Sequence, residues 1–387
     1  MIHAASTEER ERLLADFIRL CEIESPSGRE RAVADSLIED LRGLGLEPEE
    51  DDTGAATGSD AGNVYARVPG PDGAPTILLC AHMDTVPLDG PVDVVSQDGL
   101  LSNRHEAILG ADNKAAIATI MAAVRRLLRA GDTPAGIELL FTTGEEQALK
   151  GAKAFDIGRL SADYGYVFDH ATPIGEVVLG SPTYYSLRAS FKGQAAHAGI
   201  RPEAGHNAIT AAARAVAAMK LGRLDEGTTA NVGLIRGGTN ANVVAERCYV
   251  DLEARSLDAE RAGEVVSEMV DALAEAATDL ECDVETSVER LFRGYRLPRT
   301  APAVEVAAAA LQEHGLEPVY INTGGGSDAN VFVAAGLTMV NMANGTEGNH
   351  QPDESVTVDA LERMLEITVS LITQAPRLAA QVTLGDA

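Results

Sequence analysis

Tryptophan is absent and aromatic residues make up only 4% of the 387-residue chain, so any core must be built from aliphatic side chains. Cysteine is scarce: Cys21, Cys80, Cys248 and Cys282 are scattered, with no CxxC spacing. That argues against a disulfide framework or a thiolate zinc site and leaves them as small buried apolar residues. Basic side chains are outnumbered, 31 Lys and Arg against 59 Asp and Glu, for a formal net charge of -28. Such a field repels polyanions, so nucleic acid and anionic membranes make poor partners. No apolar run reaches membrane-spanning length. The N-terminal MIHAASTEERERLLADFIRL mixes charge and apolar residues at helical spacing, unlike the basic and continuously apolar segments of a signal peptide. The expectation is a cytoplasmic protein.

Apolar residues supply 45% of the chain, and its length exceeds what one hydrophobic core usually supports. Residues 7–20 and 29–45 read as amphipathic helices separated by ESPSG. NVYARV and the more continuously apolar TILLC read as strands, AAIATIMAAVRRLLRA as a helix, GIELLFTT and YGYVFDH as further strands. Strands alternating with helices imply an α/β sheet covered on both faces. Near residue 182 the texture changes. YYSLRASFKG, a helix through PEAGHNAITAAARAVAAMKL, TTANVGLIRGG, ERCYVDLEARSLD, an Ala-rich helix over 258–278 and ECDVETSVERL give a β-α-β-β-α-β order, which suits a ferredoxin-like antiparallel sheet with helices on one face. The α/β texture then returns and closes on a helix at 359–373. The expected organisation is a discontinuous, mostly parallel α/β domain, residues 1–182 and 297–387, with an α+β domain inserted at 183–296.

Polar clusters stand at the ends of the apolar runs. In LLCAHMDTVP, His82 follows the strand and Asp84 lies two residues on, on the same face of an extended chain, where it could orient the imidazole. The plainer account is a buried histidine satisfied by its neighbour. In GADNKAAIA, Asp112 precedes a helix and would ordinarily be its N-cap, with Lys114 a solvated helix-start residue. TTGEEQ places Glu145 and Glu146 side by side behind a glycine. YVFDH ends on Asp169 and His170, and either could serve as a ligand. The C-terminal ends of parallel strands converge on one edge, where ligands bind. Histidine with several carboxylates gathered there calls for a cation, and hard oxygens with imidazole suit zinc, manganese or cobalt.

AHMDTVP, GADNKAAIA, TTGEEQALKGAK, YVFDH, AAHAGIRPEAGHNAI, GGTNANVV, NTGGGSDANVF and GNHQPDESV together resemble the co-catalytic dizinc metallopeptidases, the family of peptidase T, carboxypeptidase G, aminoacylase, acetylornithine deacetylase and succinyl-diaminopimelate desuccinylase. The resemblance runs in order from about residue 10 to residue 375, and leans to the peptidase T-like branch. It implies two divalent metal ions per chain, with His82, Asp169 and His350 as ligands, Asp112 bridging, and Glu146 completing the set. Asp84 would orient His82, Glu145 would be the general base, and the Asp112–Asn113 peptide would be cis. His197, in AAHAG, resembles a histidine that reaches the partner subunit's site in a homodimer built through residues 183–296, the lid and dimerisation domain.

Asn242 in TNANVV and Arg255 in LEARSLD fall where the family binds a substrate carboxylate, for which arginine's planar fork is suited. TGGGSDAN lacks the GK[ST] ending of a phosphate loop; its glycines, Gly325 among them, would instead let a peptide approach the backbone. His105 and His206 read as surface residues, and nothing singles out His3 or His314. The resemblance implies hydrolysis of small peptides. The alternatives are deacylation of N-acyl amino acids by the same site, and a metal-binding scaffold without activity.

Overall fold

The run TILLCAH forms the strand Thr76–His82, buried from Ile77 onward, and lies parallel to Gly136–Thr142 on one side and Tyr164–His170 on the other. The structure is a computed structural model that describes residues 5–385, with side chains described as far as residue 377. Across the nine-stranded sheet the order is Glu49–Glu50, Val64–Val68, Gly136–Thr142, Thr76–His82, Tyr164–His170, Thr338–Ala343, Glu176–Ser181 and Tyr295–Arg296, with Val319–Asn322 pairing beside Glu176–Ser181. Four central strands are parallel, since Thr338–Ala343 also runs parallel to Tyr164–His170. Val64–Val68 and Glu176–Ser181 flank them antiparallel. The near-continuous apolar sequence of the parallel strands follows from burial on both faces. Their C-terminal ends, Thr142, His82, His170 and Ala343, therefore share one edge.

The helix Ala111–Ala130 packs on this sheet through a buried stretch that includes Ile117, Ile120, Met121 and Val124. Leu13, Phe17 and Leu20 of Thr7–Cys21, and Met364 and Leu365 of Val358–Gly385, belong to the same core. Each such aliphatic side chain contributes about 1.5–3 kcal/mol by leaving water. Lys114 departs from the solvated position expected of it. It is fully buried, with Nζ 3.3 Å from the carbonyl oxygens of both Leu20 and Ile23. Carbonyls at a helix C-terminus lack partners within the helix and sit at its negative end, so they attract an ammonium.

The chain divides into two compact units, one of Met1–Leu179, Arg296–Asn322 and Ser327–Ala387, the other of Gly180–Tyr295 and Thr323–Gly326. The second unit has the strand order Gly222–Asp225, Thr228–Gly237, Arg247–Ser256, Thr183–Lys192 and Asp283–Phe292, all antiparallel. Helices Ala208–Ala218 and Ala259–Asp279 bury Leu187, Phe191, Val250 and Leu252 beneath them. Alternation along Arg247–Ser256 leaves Tyr249 exposed and Asp251, Glu253 and Arg255 half-buried on the other face. Thr323–Gly326 lies within the span expected for the larger domain, yet groups with the smaller unit. A side chain on Gly326 would collide with the Phe292 ring, 2.3 Å from an added Cβ, so this short segment packs where only glycine fits.

All four cysteines are buried and unpaired. Among the described residues no helix is long and apolar enough to cross a membrane.

Candidate metal centre

His82 ends its strand rather than following it, and its ring is almost fully buried. Nδ1 lies 2.9 Å from the backbone oxygen of Asp84 and 3.5 Å from that residue's Oδ1. A carbonyl can only accept, so Nδ1 carries a proton, and Nε2 is turned to the opposite side, toward the carboxylates. Nε2 faces Asp112 Oδ1 at 3.1 Å and Asp169 Oδ1 at 3.7 Å.

Asp112 does not cap its helix. The Asp112–Asn113 peptide is cis, both residues have non-helical backbone angles, and the regular helix starts beyond them. The carboxylate projects toward the sheet edge. Oδ1 faces His82, while Oδ2 lies 3.4 Å from His350 Nε2. His350 Nε2 is in turn 2.9 Å from Glu146 Oε1. His350 sits with φ +66° on the loop that follows the strand Thr338–Ala343, and its side chain is half exposed.

Two donor sets result, His82 with Asp112 and Asp169, and Asp112 with Glu146 and His350, each with ligand atoms within 4.8 Å of one another. They share the single carboxylate of Asp112. Glu145 joins a third grouping with His82 and Glu146. His170 belongs to none of these; its Nε2 points to Glu176 at 3.9 Å. Of the two neighbours at that strand end, Asp169 is the one that faces the centre.

The electrostatics fit a bound cation. Burial, followed by the Asp112 carboxylate, raises Asp169 to about 7. Burial and then Asp169 push Glu145 well above the usual carboxylate range. Asp112 would also be raised by burial, but hydrogen bonds from His350 and His82 hold it far below. Hydrogen bonding to Asp112 and Glu146 lifts His350 to about 10. Four carboxylates crowd two imidazoles, and a divalent ion in each donor set would relieve the repulsion that now falls on the protons. Imidazole with carboxylate oxygens is a donor set for zinc, cobalt or manganese.

Supporting residues that the motifs alone did not single out are now visible. Glu354 is buried and accepts from the amides of Gly110 at 2.7 Å and Asp112 at 2.9 Å. Asn349 donates to Asp112 Oδ2 at 2.9 Å, and Asn341 exchanges hydrogen bonds with the backbone of Asp169 at 3.0 and 3.1 Å. Asp328, in GGGSDAN, is buried with one oxygen on the Thr142 hydroxyl and the other unpartnered. An acid just past a glycine-rich run is the one signal in the sequence for it. Asp84 itself differs from its expected part. Its carboxylate accepts from Ser27 at 2.6 Å and from the amides of Glu145 and Glu146 at 2.9 and 3.1 Å, all closer than the imidazole at 3.5 Å.

The remaining candidates belong to the second unit. His197 is exposed, and its Nδ1 accepts from the Gly199 amide at 3.2 Å, which leaves the proton of the neutral ring on Nε2. A bridge between His197 and Val243, and a bond from the Ala198 amide to the Asn242 oxygen at 3.0 Å, bring the His197 and Asn242 loops together. Arg255 lies over the Tyr184 ring at 4.0 Å and donates to Gly324 O and Glu253, both at 3.1 Å. Gly325 adjoins it, its oxygen held by Ser181 at 2.9 Å. His206 is half-buried, His105 is exposed, His314 bonds Ser370 at 2.8 Å, and His3 lies outside the described residues.

A family model described as Peptidase family M20/M25/M40 matches residues 78–374. The uncharacterized protein YqjE of Bacillus subtilis (strain 168) is 36% identical over 366 residues, spanning 95% of this chain and 99% of its own. Among solved structures, aminopeptidase PepT from Bacillus cereus ATCC 10987 is 38% identical with a TM-score of 0.86, covering 95% of this chain and 98% of its own. A tripeptidase from Staphylococcus aureus subsp. aureus Mu50 is 32% identical with a TM-score of 0.91, covering 95% and 99%.

Proposed function

The chain belongs to peptidase family M20/M25/M40 and is a hydrolase of the peptidase type, and from that premise we propose that it is a two-metal exopeptidase acting on small peptides. One observation carries this reading: the two oxygens of Asp112 face two different histidines, at 3.1 and 3.4 Å. A carboxylate so placed suits a bridge between neighbouring cations. His82, Asp112 and Asp169 would hold one, and Asp112, Glu146 and His350 the other. Divalent ions bound there would supply Lewis acidity to the scissile carbonyl and acidify the attacking water.

The protein's own residues then divide the work. Glu145 takes a proton from the water as its oxygen attacks the carbonyl carbon, and delivers that proton to the amine nitrogen as the C–N bond breaks. Its place beside His82 and Glu146 suits it to hold the proton between those steps. His197 donates from Nε2 to the carbonyl oxygen as negative charge develops there, acting across a homodimer assembled through residues 183–296. Arg255 and Asn242 receive the peptide's carboxylate, and the glycine-rich turn at Gly325 lies against its backbone. The names of the relatives, an aminopeptidase and a tripeptidase, favour short peptides over N-acyl amino acids.

The test is a panel of di- and tripeptides against N-acyl amino acids, assayed with added zinc, cobalt and manganese. Release of amino acids from tripeptides is the expected result. Faster release of acyl groups would replace this reading with the deacylase one, and no turnover with any metal would favour the inactive scaffold.

A further inference from the structure

Three consecutive amides, those of Gly144, Glu145 and Glu146, donate into two buried carboxylates that belong to neither donor set. Gly144 N–H donates to Glu30 Oε1 at 3.0 Å, while those of Glu145 and Glu146 donate to the two oxygens of Asp84. The amides converge because Gly144 has φ +59° and opens a 3₁₀ turn, a conformation that makes a concave nest for anions. Here the anions are the protein's own side chains.

Glu30 is fully buried at the start of the helix Arg31–Gly43. Its second oxygen accepts from Ser59 at 2.6 Å. Asn63 clamps the same loop from its far side. Its Oδ1 accepts from the Thr143 amide at 3.0 Å and its amide group donates to Gly151 O at 3.1 Å. A Cβ at Gly151 would stand 2.2 Å from Thr143 O, so the loop ends close only around a glycine. The turn that carries Glu145 and Glu146 is thus tied at each amide from Thr143 to Glu146.

Such fixing matters because the two neighbours must point in different directions. A 3₁₀ turn has three residues per turn, so adjacent side chains diverge by about 120°. Glu146 reaches His350 at 2.9 Å, and Glu145 and Glu146 both group with His82. A relaxed turn would let Glu145 leave the place it holds beside His82 and Glu146.

We propose that Glu30 is a positioning residue of the hydrolytic site: by holding the Gly144 amide it sets the start of the turn and so places Glu145. The inference rests on the reading of Glu145 as the base and of Glu146 as a ligand. Its test compares Glu30→Ala and Glu30→Gln with wild type by kcat, KM and metal content. Hydrogen exchange over residues 143–147 of the metal-free protein adds a readout that needs no turnover. Glu30→Ala should keep the wild-type metal content and a KM within about threefold, and lose about 100-fold in kcat, the scale of a small misplacement at a reacting group. Exchange should accelerate over 143–147 and not along the strand Gly136–Thr142. Glu30→Gln retains an acceptor for the Gly144 amide and should fall between Glu30→Ala and wild type. Should Glu30→Ala not fold, Glu30→Asp takes its place, since it keeps the charge and withdraws the oxygen from Gly144. A kcat within about threefold of wild type would overturn the proposal. So would exchange that quickens equally in the strand, because Glu30 would then be a general stabiliser. A wild-type protein that turns over no peptide would refute the functional reading instead, and the exchange measurement would still decide the role of Glu30.

Discussion

The two units handle polar groups in opposite ways. In the larger, His82, Glu145, Glu146 and Asp169 stand at or just past the C-terminal ends of buried parallel strands, and His82, Asp84 and Asp112 are almost wholly out of water. His82 is fixed by the Asp84 backbone oxygen, Asp112 by Glu354 through its amide, and Asp84 by the amides of Glu145 and Glu146. In the smaller, His197 and Asn242 lie exposed on loops and Arg255 is half-buried on an open sheet face. Groups that must bind a metal and move a proton gain from a dry, rigid setting. Groups that receive a substrate or reach a second subunit need exposure. The contrast suggests that changes in the larger unit act on turnover and metal, and changes in the smaller on binding and assembly, except at His197, whose proposed donor role makes it count for turnover too.

The largest effect is expected at the proton carrier. Glu145→Gln should lower kcat by at least about 1,000-fold while metal content stays at the wild-type level. Loss of metal in that variant would blur the division between ligand and base. His197→Ala should cost on the order of 100-fold in kcat. Mixing it with Glu145→Gln should then restore part of the activity if exposed His197 acts across a dimer, and no rescue despite demonstrated subunit exchange would confine each site to one chain. Arg255→Lys should raise KM about tenfold with little change in kcat, because an ammonium cannot reproduce the two-pronged grip of guanidinium on a carboxylate. A fall in kcat alone would move Arg255 to the chemical side of the comparison.

The smallest effect concerns stability of the metal-free protein. Burial raises Asp328 to about 6 and Glu354 to about 7. Each keeps its proton in the folded state between the usual carboxylate range and those values, whereas the unfolded chain has already released it. The folded form therefore binds more protons in that window, and its stability falls as pH rises. His350, raised to about 10, contributes a constant stabilisation below about pH 6.5 and does not oppose the trend there. Thermal melts should drop by a few degrees from pH 4.5 to pH 6.5, and saturating zinc should flatten the slope. A melting temperature that rises across that window would show that other groups dominate.

Much of the larger unit was legible because its chemistry is written at strand ends. TILLCAH, GIELLFTT and YVFDH each pass from an apolar run to a polar cluster, and parallel pairing brings those ends to one edge. The alternating strands and two helices of the insert were equally readable, apart from the additional short strand Gly222–Asp225, which makes the order β-α-β-β-β-α-β. Residues that act on backbone amides were not. Glu354 bonds Asp112 across 242 positions and Glu30 bonds Gly144 across 114, and a carboxylate that accepts from an amide leaves no pattern in the side chains around it. Asp84 was legible in place but not in action, since its spacing from His82 suggested a side-chain bond where the backbone oxygen lies closer. Lys114 was misread because helical position says nothing of the helix C-terminus packed above it. The grouping of Thr323–Gly326 with the smaller unit likewise depends on contacts with Phe292 and Arg255, which are distant in the chain.

The central claim is that one carboxylate serves two cations, and elemental analysis of purified protein tests it most directly. Wild type dialysed against zinc should hold about two divalent ions per chain, His350→Ala about one, and Asp112→Asn close to none. Asp112→Asn with the wild-type metal content, or wild type that retains no metal after loading, would contradict the account.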